Sequence, residues 1–310
     1  MMSALLFSLF SALMPSSLCA QTAVSLFMRS DSLQTNEVFS ASGDEYVTVG
    51  HHGPAIENSH FALRIYFNDS GSIDIYSKSG RGMELRRYLW YPDEVHKQKF
   101  GAGGDEYIVG NTLGAGGIAL WDEGKIVRLV ATEGRRAKSG KTKSGSFIEL
   151  ISYGVEYRGT KVNICIRVDM SDKNRTAIVT ASELSGKKVQ FVTGVNYFEG
   201  EQTDIGKDYV AVWGRHPYSP VYSASSPLSA IEASASDANA DGVDAAPVKA
   251  SAVGVALKFR EDKFLPAEKT DGFLQLVSKP TSRISTNLIA ASEKEAELRT
   301  ASTFFAFIKK

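Results

Sequence analysis

The chain has 310 residues, 43% of them hydrophobic and 23% charged, with 35 Lys and Arg against 35 Asp and Glu. That balance removes any long-range pull toward nucleic acid or an anionic membrane surface, although a local basic patch can still hold an anionic ligand. The length is enough to bury most of the apolar surface in one large domain.

The first element in chain order is the apolar run Ala4–Leu13, too short to span a bilayer. Pro15, two serines and Leu18-Cys19-Ala20 follow, a pattern expected of a secretory signal peptide cleaved after Ala20. No Lys or Arg precedes the run. Cys19 raises a lipoprotein reading, which the bulk of Leu18 disfavours. The expectation is a periplasmic or secreted protein whose single β domain spans residues 21–310. Cys165 is then the only cysteine, so no internal disulfide can form and stability must come from core burial.

Period-2 alternation recurs along the rest of the chain and helical periodicity is scarce. Tyr46–Val49 is the first strand candidate. In Phe61–Phe67, an apolar face of Phe61, Leu63, Ile65 and Phe67 lies opposite Ala62, Arg64 and Tyr66. Ile73–Lys78 carries Asp74, Tyr76 and Lys78 on its second face. Ile126–Ala131 and Ser146–Tyr157 follow. Thr160–Met170 sets Val162, Ile164, Ile166, Val168 and Met170 opposite Asn163, Cys165, Arg167 and Asp169. Thr176–Glu183, Lys188–Tyr197, Tyr209–Trp213, Ala252–Arg260, Gly272–Val277, Ile284–Ala290 and Ser302–Ile308 complete the strand candidates. Turn signals such as Asn68-Asp69-Ser70-Gly71 and Ser185-Gly186-Lys187 separate them. Only Pro92–Lys97 and Glu293–Arg299 carry a short helical pattern. Arg135–Gly145 reads as a solvated hairpin tip, and the Ala/Ser/Asp-rich segment 223–247 as a long surface loop. Many strands with few helices predict an all-β fold, a large antiparallel sandwich.

The polar chemistry is concentrated between His51 and Lys78, where histidines, carboxylates, an arginine, a lysine and two tyrosines stand among turn-forming glycines. Such density between apolar strands suits a sugar-processing site. The glycines between 101 and 117 form no phosphate cradle, since neither a G-x-x-x-x-G-K-[ST] run nor a following helix is present. Cys165 reads as a small buried hydrophobe.

The pattern from Gly50-His51-His52-Gly53-Pro54 through Trp90-Tyr91-Pro92, Gly103-Gly104-Asp105 and Leu113-Gly114-Ala115-Gly116-Gly117 to Trp121 resembles a family numbered 4861 among domains of unknown function. Tyr157–Asn163 and Val192–Val195 extend the resemblance. It implies a galactose-mutarotase-like β-supersandwich used in digesting acidic polysaccharides. It also implies an oligosaccharide dehydratase activity that leaves a C4–C5 double bond in a terminal uronic acid. The insert at 223–247 departs from the family pattern.

That elimination needs a cation to offset the carboxylate, a base for the C5 proton and an acid for the departing 4-hydroxyl. By residue type, Arg64 suits the carboxylate clamp. His52 or Tyr66 suits the base, and Tyr76, His51 or His216 the acid. Glu57 could orient a histidine, Asn58 could bind a hydroxyl, and Trp90 could stack under the ring. Lys78, Asp105 and Arg215 complete the expected substrate-binding set. Plainer roles stand beside these. Adjacent residues of an extended segment face opposite ways, which favours His52 in the site and makes His51 structural. Arg64 could pair with Asp74 across strands. Tyr66 and Tyr76 could be surface tyrosines, Trp90 core, Asp105 a turn residue, and His216 an exposed loop residue.

No organic cofactor is called for. The metal candidate is Asp237-Ala238-Asn239-Ala240-Asp241-Gly242, which follows the start of a calcium loop. Its twelfth position is Val248, where such a loop needs a glutamate. Two alternatives to the lyase remain, an aldose epimerase using a histidine and a glutamate, and a non-catalytic glycan binder.

Overall fold

The computed structural model describes residues 22–88, 103–171, 174–217 and 251–310. The signal-peptide pattern, Trp90, the 92–97 helix pattern, the 223–247 loop and the calcium-loop residues Asp237, Asn239 and Asp241 lie outside the described residues.

The strands in chain order begin with β1 (Ala23–Ser25), β2 (Glu37–Ser40), β3 (Ala55–Glu57), β4 (Ala62–Ile65), β5 (Ile73–Tyr76) and β6 (Ala119–Asp122). Then come β7 (Lys125–Val127), β8 (Arg135–Lys141), β9 (Gly145–Tyr157), β10 (Thr160–Ser171), β11 (Thr176–Glu183) and β12 (Phe191–Asn196). The last are β13 (Gln202–Ile205), β14 (Tyr209–Gly214), β15 (Val253–Phe259), β16 (Glu268–Thr270), β17 (Phe273–Val277) and β18 (Arg283–Ser292).

Nine of them form one sheet in the order β13-β14-β15-β18-β11-β10-β9-β8-β2. Two smaller sheets, β1-β3-β4-β5 and β16-β17-β12-β6-β7, make the opposing layer. Every pairing between these strands is antiparallel. The small sheets meet through Gly114 and Ala115, which bridge to Ile73 of β5 and Val195 of β12. β12 lies against β14 and β15, while β1 and β3 lie against β9. One continuous apolar core fills the space between the layers and draws on all three sheets. The architecture is the large antiparallel β-supersandwich.

The alternation in β10 is the clearest case of sequence dictating structure. Val162, Ile164, Ile166, Val168 and Met170 all point into the core, because residues two apart share one face of a strand. The four-stranded sheet behaves differently. Its Phe61, Leu63, Ile65, Ile73 and Ile75 are buried as the pattern predicts, but Arg64, Asp74, Tyr76 and Lys78 on the opposite face are buried too. That second, polar face is covered rather than solvated, and the candidate site lies there.

Four expectations need correction. Arg135–Lys141 is not a loop but strand β8, paired with β9 and β2. Its inward positions are Arg135, Ala137 and Ser139, and its outward Lys138 pairs with Glu37 at 3.0 Å. The small and charged residues that suggested a hairpin tip therefore obey period 2. Ser302–Ile308 is not a strand; Ala301–Ile308 is a helix, started by a capping box between Thr300 and Thr303. Phe304 and Ile308, four apart, face Trp213 and its neighbours in a second apolar cluster. Residues 293–299, read as helical, form turns and bends. Tyr46–Val49 is also turn, with only Val49 bridging to Met28.

Candidate functional site

Arg64 sits at the centre of the covered face. Its strand register places it opposite Asp74, and Asp74 Oδ2 accepts from Arg64 Nε at 3.0 Å and Nη2 at 2.5 Å. Nη1 donates to the Tyr76 hydroxyl at 3.1 Å and to the His51 carbonyl at 3.4 Å. Nη2 donates to the Tyr66 hydroxyl at 3.2 Å and to Asp105 Oδ2 at 3.1 Å. Tyr66 in turn donates to Asp74 Oδ2 at 2.8 Å. Burial works against the charge on Arg64, but the surrounding oxygens outweigh it and hold the guanidinium protonated. Burial likewise pushes both phenols well above their ordinary range, against the pull of Arg64, so both are protonated at neutral pH. The cross-strand pairing with Asp74 is therefore present. Asp105, with 28% of its side chain exposed, is where the cluster reaches solvent.

The two histidines flank this array, for a reason that alternation does not capture. Gly50–His52 is a single tight turn in which His51 and His52 both have positive φ, 57° and 59°. Backbone in that region costs on the order of 1–3 kcal/mol for a residue with a Cβ. It is held by Gly50 N–H to the Phe27 carbonyl and Phe67 N–H to the His52 carbonyl. Gly53 closes the turn against β4, where an added Cβ would lie 1.9 Å from the Ile65 carbonyl oxygen. The pair is not extended, so both rings border the cluster. His51 Nδ1 lies 3.4 Å from the Tyr76 hydroxyl and Nε2 lies 3.2 Å from Ser25 Oγ. Burial, aided by Arg64, lowers its pKa to about 3, so the ring is neutral. His52 Nδ1 lies 2.8 Å from the Tyr46 carbonyl, which can only accept. That fixes a proton on Nδ1, so in the neutral form of the ring the lone pair is on Nε2. The His52 ring stacks on Tyr46 at 4.2 Å and stands edge-on to Tyr66.

The other expected site residues fall into three places. Lys78, Glu57 and Asn58 form a buried knot beside the array. Lys78 Nζ donates to Glu57 Oε2 and to the Asn58 carbonyl, both at 2.9 Å, and to the Gly82 carbonyl. Glu57 also accepts from the backbone of Glu84 and Leu85, at the start of the short helix Leu85–Tyr88. Asn58 caps the turn to Phe61 and donates to the Asn174 carbonyl. These contacts tie down the loop after β5. Arg215 forms a two-pronged ion pair with Glu293 at the surface. His216, expected on an exposed loop, is buried between Tyr107 and Phe198. Its Nδ1 accepts from Ile108 N–H at 2.7 Å and its Nε2 faces Glu201 Oε1 at 3.7 Å. Burial lowers the His216 pKa to about 3 and raises that of Glu201 to about 6. The pair does not touch Arg64. Tyr107 stands between the two groups, its phenol raised by burial and then by the charges of Asp74 and Glu201.

Residue-level reasoning missed Tyr46, Ser25, Tyr107 and Glu201. Each lies outside the His51–Lys78 stretch and reaches its place only through tertiary pairing. Among the described residues no group of three or more His, Cys, Asp or Glu is placed to hold a metal ion. No described helix is long and apolar enough to cross a membrane.

A family model described as a domain of unknown function (DUF4861) matches residues 20–310. The chain belongs to the DUF4861 family. No curated protein matches it. Among solved structures, this DUF4861 chain is similar to the crystal structure of 4-alpha-glucanotransferase from Thermococcus litoralis, with 10% identity and a TM-score of 0.33. That alignment covers 77% of the present chain and 39% of the glucanotransferase chain.

Proposed function

We propose that this DUF4861 protein is a carbon–oxygen lyase that eliminates water from the non-reducing-end uronic acid of acidic oligosaccharides. The observation that carries the reading is Arg64 held between two protonated phenols, Tyr66 and Tyr76, with His51 beside Tyr76 and His52 beside Tyr66. In this reading the substrate carboxylate takes the place of Asp105 on Arg64 Nη2. Its charge is offset there, which acidifies the C5 proton. His52 Nε2 accepts that proton. The C4–oxygen bond breaks as Tyr76 donates its hydroxyl proton, and the 4-hydroxyl leaves as water. The C5–H electron pair becomes the C4–C5 double bond. Arg64, 3.1 Å from the Tyr76 oxygen, stabilises the phenolate until the proton on His52 is returned through solvent. The signal-peptide pattern of residues 1–20 is in keeping with a substrate met after export.

The epimerase alternative needs a histidine and a glutamate on opposite sides of a sugar ring. His216 and Glu201 face each other directly at 3.7 Å, each side chain at most 2% exposed. No pyranose fits between them, so that pair lends the epimerase no support.

The test is ultraviolet absorbance during incubation with glucuronate- and iduronate-terminated oligosaccharides, because the conjugated product absorbs where the substrate does not. A rising signal is expected from the wild type, with a loss of at least about a hundredfold in Tyr76→Phe and His52→Gln. A flat wild-type trace across the panel overturns the reading and leaves a glycan binder.

A further inference from the structure

We propose that a second cleft, beside the His216 pair, binds the uncharged sugar units that follow the terminal uronate. The placement within one oligosaccharide rests on the lyase reading; the binding of an uncharged glycan does not. The cleft has a volume of about 620 Å³ and runs between the 108–112 segment and the turn after β12. That volume lies within the range of sites that enclose small ligands.

Three features define what it accepts. Asn196 lines it and is 1% exposed. Its Nδ2 donates to the Ile108 carbonyl at 2.8 Å, but its Oδ1 has no hydrogen-bond partner among the described residues. A buried amide oxygen left without a donor is costly, and a ligand hydroxyl satisfies it. Tyr197 and Phe198 supply aromatic surface. Tyr197 is fixed by its hydroxyl to the Thr270 carbonyl at 2.7 Å, and Phe198 by edge contact with His216 at 4.7 Å. Aromatic faces held in place suit the apolar C–H face of a pyranose.

The third feature is charge. The acidic lining residues are Glu199 and Asp271, and among the described residues no Lys, Arg or His lines the cleft. Two cations stand at its edge. Lys269 Nζ donates to Thr203 Oγ1 at 2.9 Å and covers one face of the Tyr197 ring, and Arg128 donates to the Asn111 carbonyl, so each is already held by a partner at the edge of the cleft. Two carboxylates accept sugar hydroxyls but repel a uronate or a sulfate ester. The charge preference is therefore the reverse of that at Arg64.

One stretch of chain links the two places. Asp105 is at the mouth of the Arg64 cluster, Ile108 binds both His216 and Asn196, and Asn111 lines the cleft. Six residues from Asp105 to Asn111 span at most about 20 Å, the reach of a short oligosaccharide.

The experiment is calorimetric titration of the protein with unsulfated neutral xylo-, gluco- and rhamno-oligosaccharides, and with a sulfated form of any that binds. At least one neutral glycan is expected to bind. Tyr197→Leu at the rim and Asn196→Ala within should each weaken it about tenfold or more, and sulfation should weaken it further, whereas Tyr76→Phe should leave it unchanged. Tyr197→Leu keeps the test decisive if Asn196→Ala misfolds. Absence of binding by every neutral glycan, binding indifferent to Tyr197→Leu, or preference for the sulfated form overturns the inference. Neutral-glycan binding with a flat elimination assay preserves this cleft and removes the lyase reading; elimination without neutral-glycan binding does the opposite.

Discussion

Acidification should unfold this protein early, and the buried histidines set how early. His51 and His216 have pKa values pushed to about 3 by burial, against 6.5 for an ordinary histidine. The unfolded chain therefore binds more protons than the folded one between about pH 6.5 and pH 3, and stability falls as pH drops through that window. Each site loses about 1.4 kcal/mol per pH unit below 6.5, hence about 2 kcal/mol by pH 5. Glu201 acts in the opposite sense. Its carboxyl is raised from 4.5 to about 6, so the folded state holds the extra proton, returning about 1 kcal/mol between pH 6 and pH 5. The net loss from these three groups between about pH 7.5 and pH 5 is about 3 kcal/mol, a large share of the total stability of a domain. His60, nearer the surface and lowered to about 4, acts in the same direction as the other two histidines. Urea denaturation at the two pH values measures the difference directly. In His216→Gln it should shrink by about 2 kcal/mol, since one histidine's share is gone. Equal or greater stability at pH 5, or an undiminished pH dependence in the variant, would refute the assignment of both imidazoles as neutral and buried.

Two further predictions concern the scaffold of the site. Asp74→Asn leaves Arg64 with Asp105 as its remaining counter-charge in the cluster and should cost about 3 kcal/mol in a urea melt; a loss below about 1 kcal/mol would mean that the pair is not structurally important. Gly103→Ala places a Cβ 1.8 Å from the Ser77 carbonyl oxygen, whereas Gly80→Ala meets nothing within 4 Å. The first should lower stability by about 1–3 kcal/mol and the second by less than about 0.5 kcal/mol in thermal melts, and equal effects would contradict the close approach of the two segments.

The long strands were legible because they obey one rule over many residues. Thr176–Glu183 is a strand with the bounds that alternation predicts, and β9, β10, β15 and β18 differ only at their ends. Where the rule had two readings, composition misled. Arg135–Lys141 carries Gly, Ser and two lysines, which suggest a turn, but Arg135 is buried, with Nε donating to Ser152 Oγ at 3.0 Å. A buried arginine satisfied by neutral oxygens leaves no mark in a pattern of apolar residues. Ser302–Ile308 failed the other way. Apolar residues at 304, 305, 307 and 308 fit either period over so short a run, and only the Thr300–Thr303 capping box, a signal of helix start, separates them.

Part of the candidate site was legible as residues, but its arrangement was not. Arg64, Tyr66, Asp74 and Tyr76 share one face of adjacent strands, which alternation alone implies once β4 and β5 are paired. What decides whether Arg64 can meet a ligand is the second carboxylate, Asp105, which comes from 41 residues along the chain. Asp74 is fully enclosed and holds two of the guanidinium N–H groups and the Tyr66 hydroxyl, so it is a permanent part of the scaffold. Asp105 is partly exposed and meets Arg64 Nη2 at 3.1 Å. A ligand carboxylate that replaced Asp74 would leave a buried charge and a phenol unpaired, whereas one that replaced Asp105 would displace a side chain already partly in water. The two aspartates are alike by residue type; their unequal burial makes the cross-strand pair and the carboxylate clamp compatible roles for the same arginine.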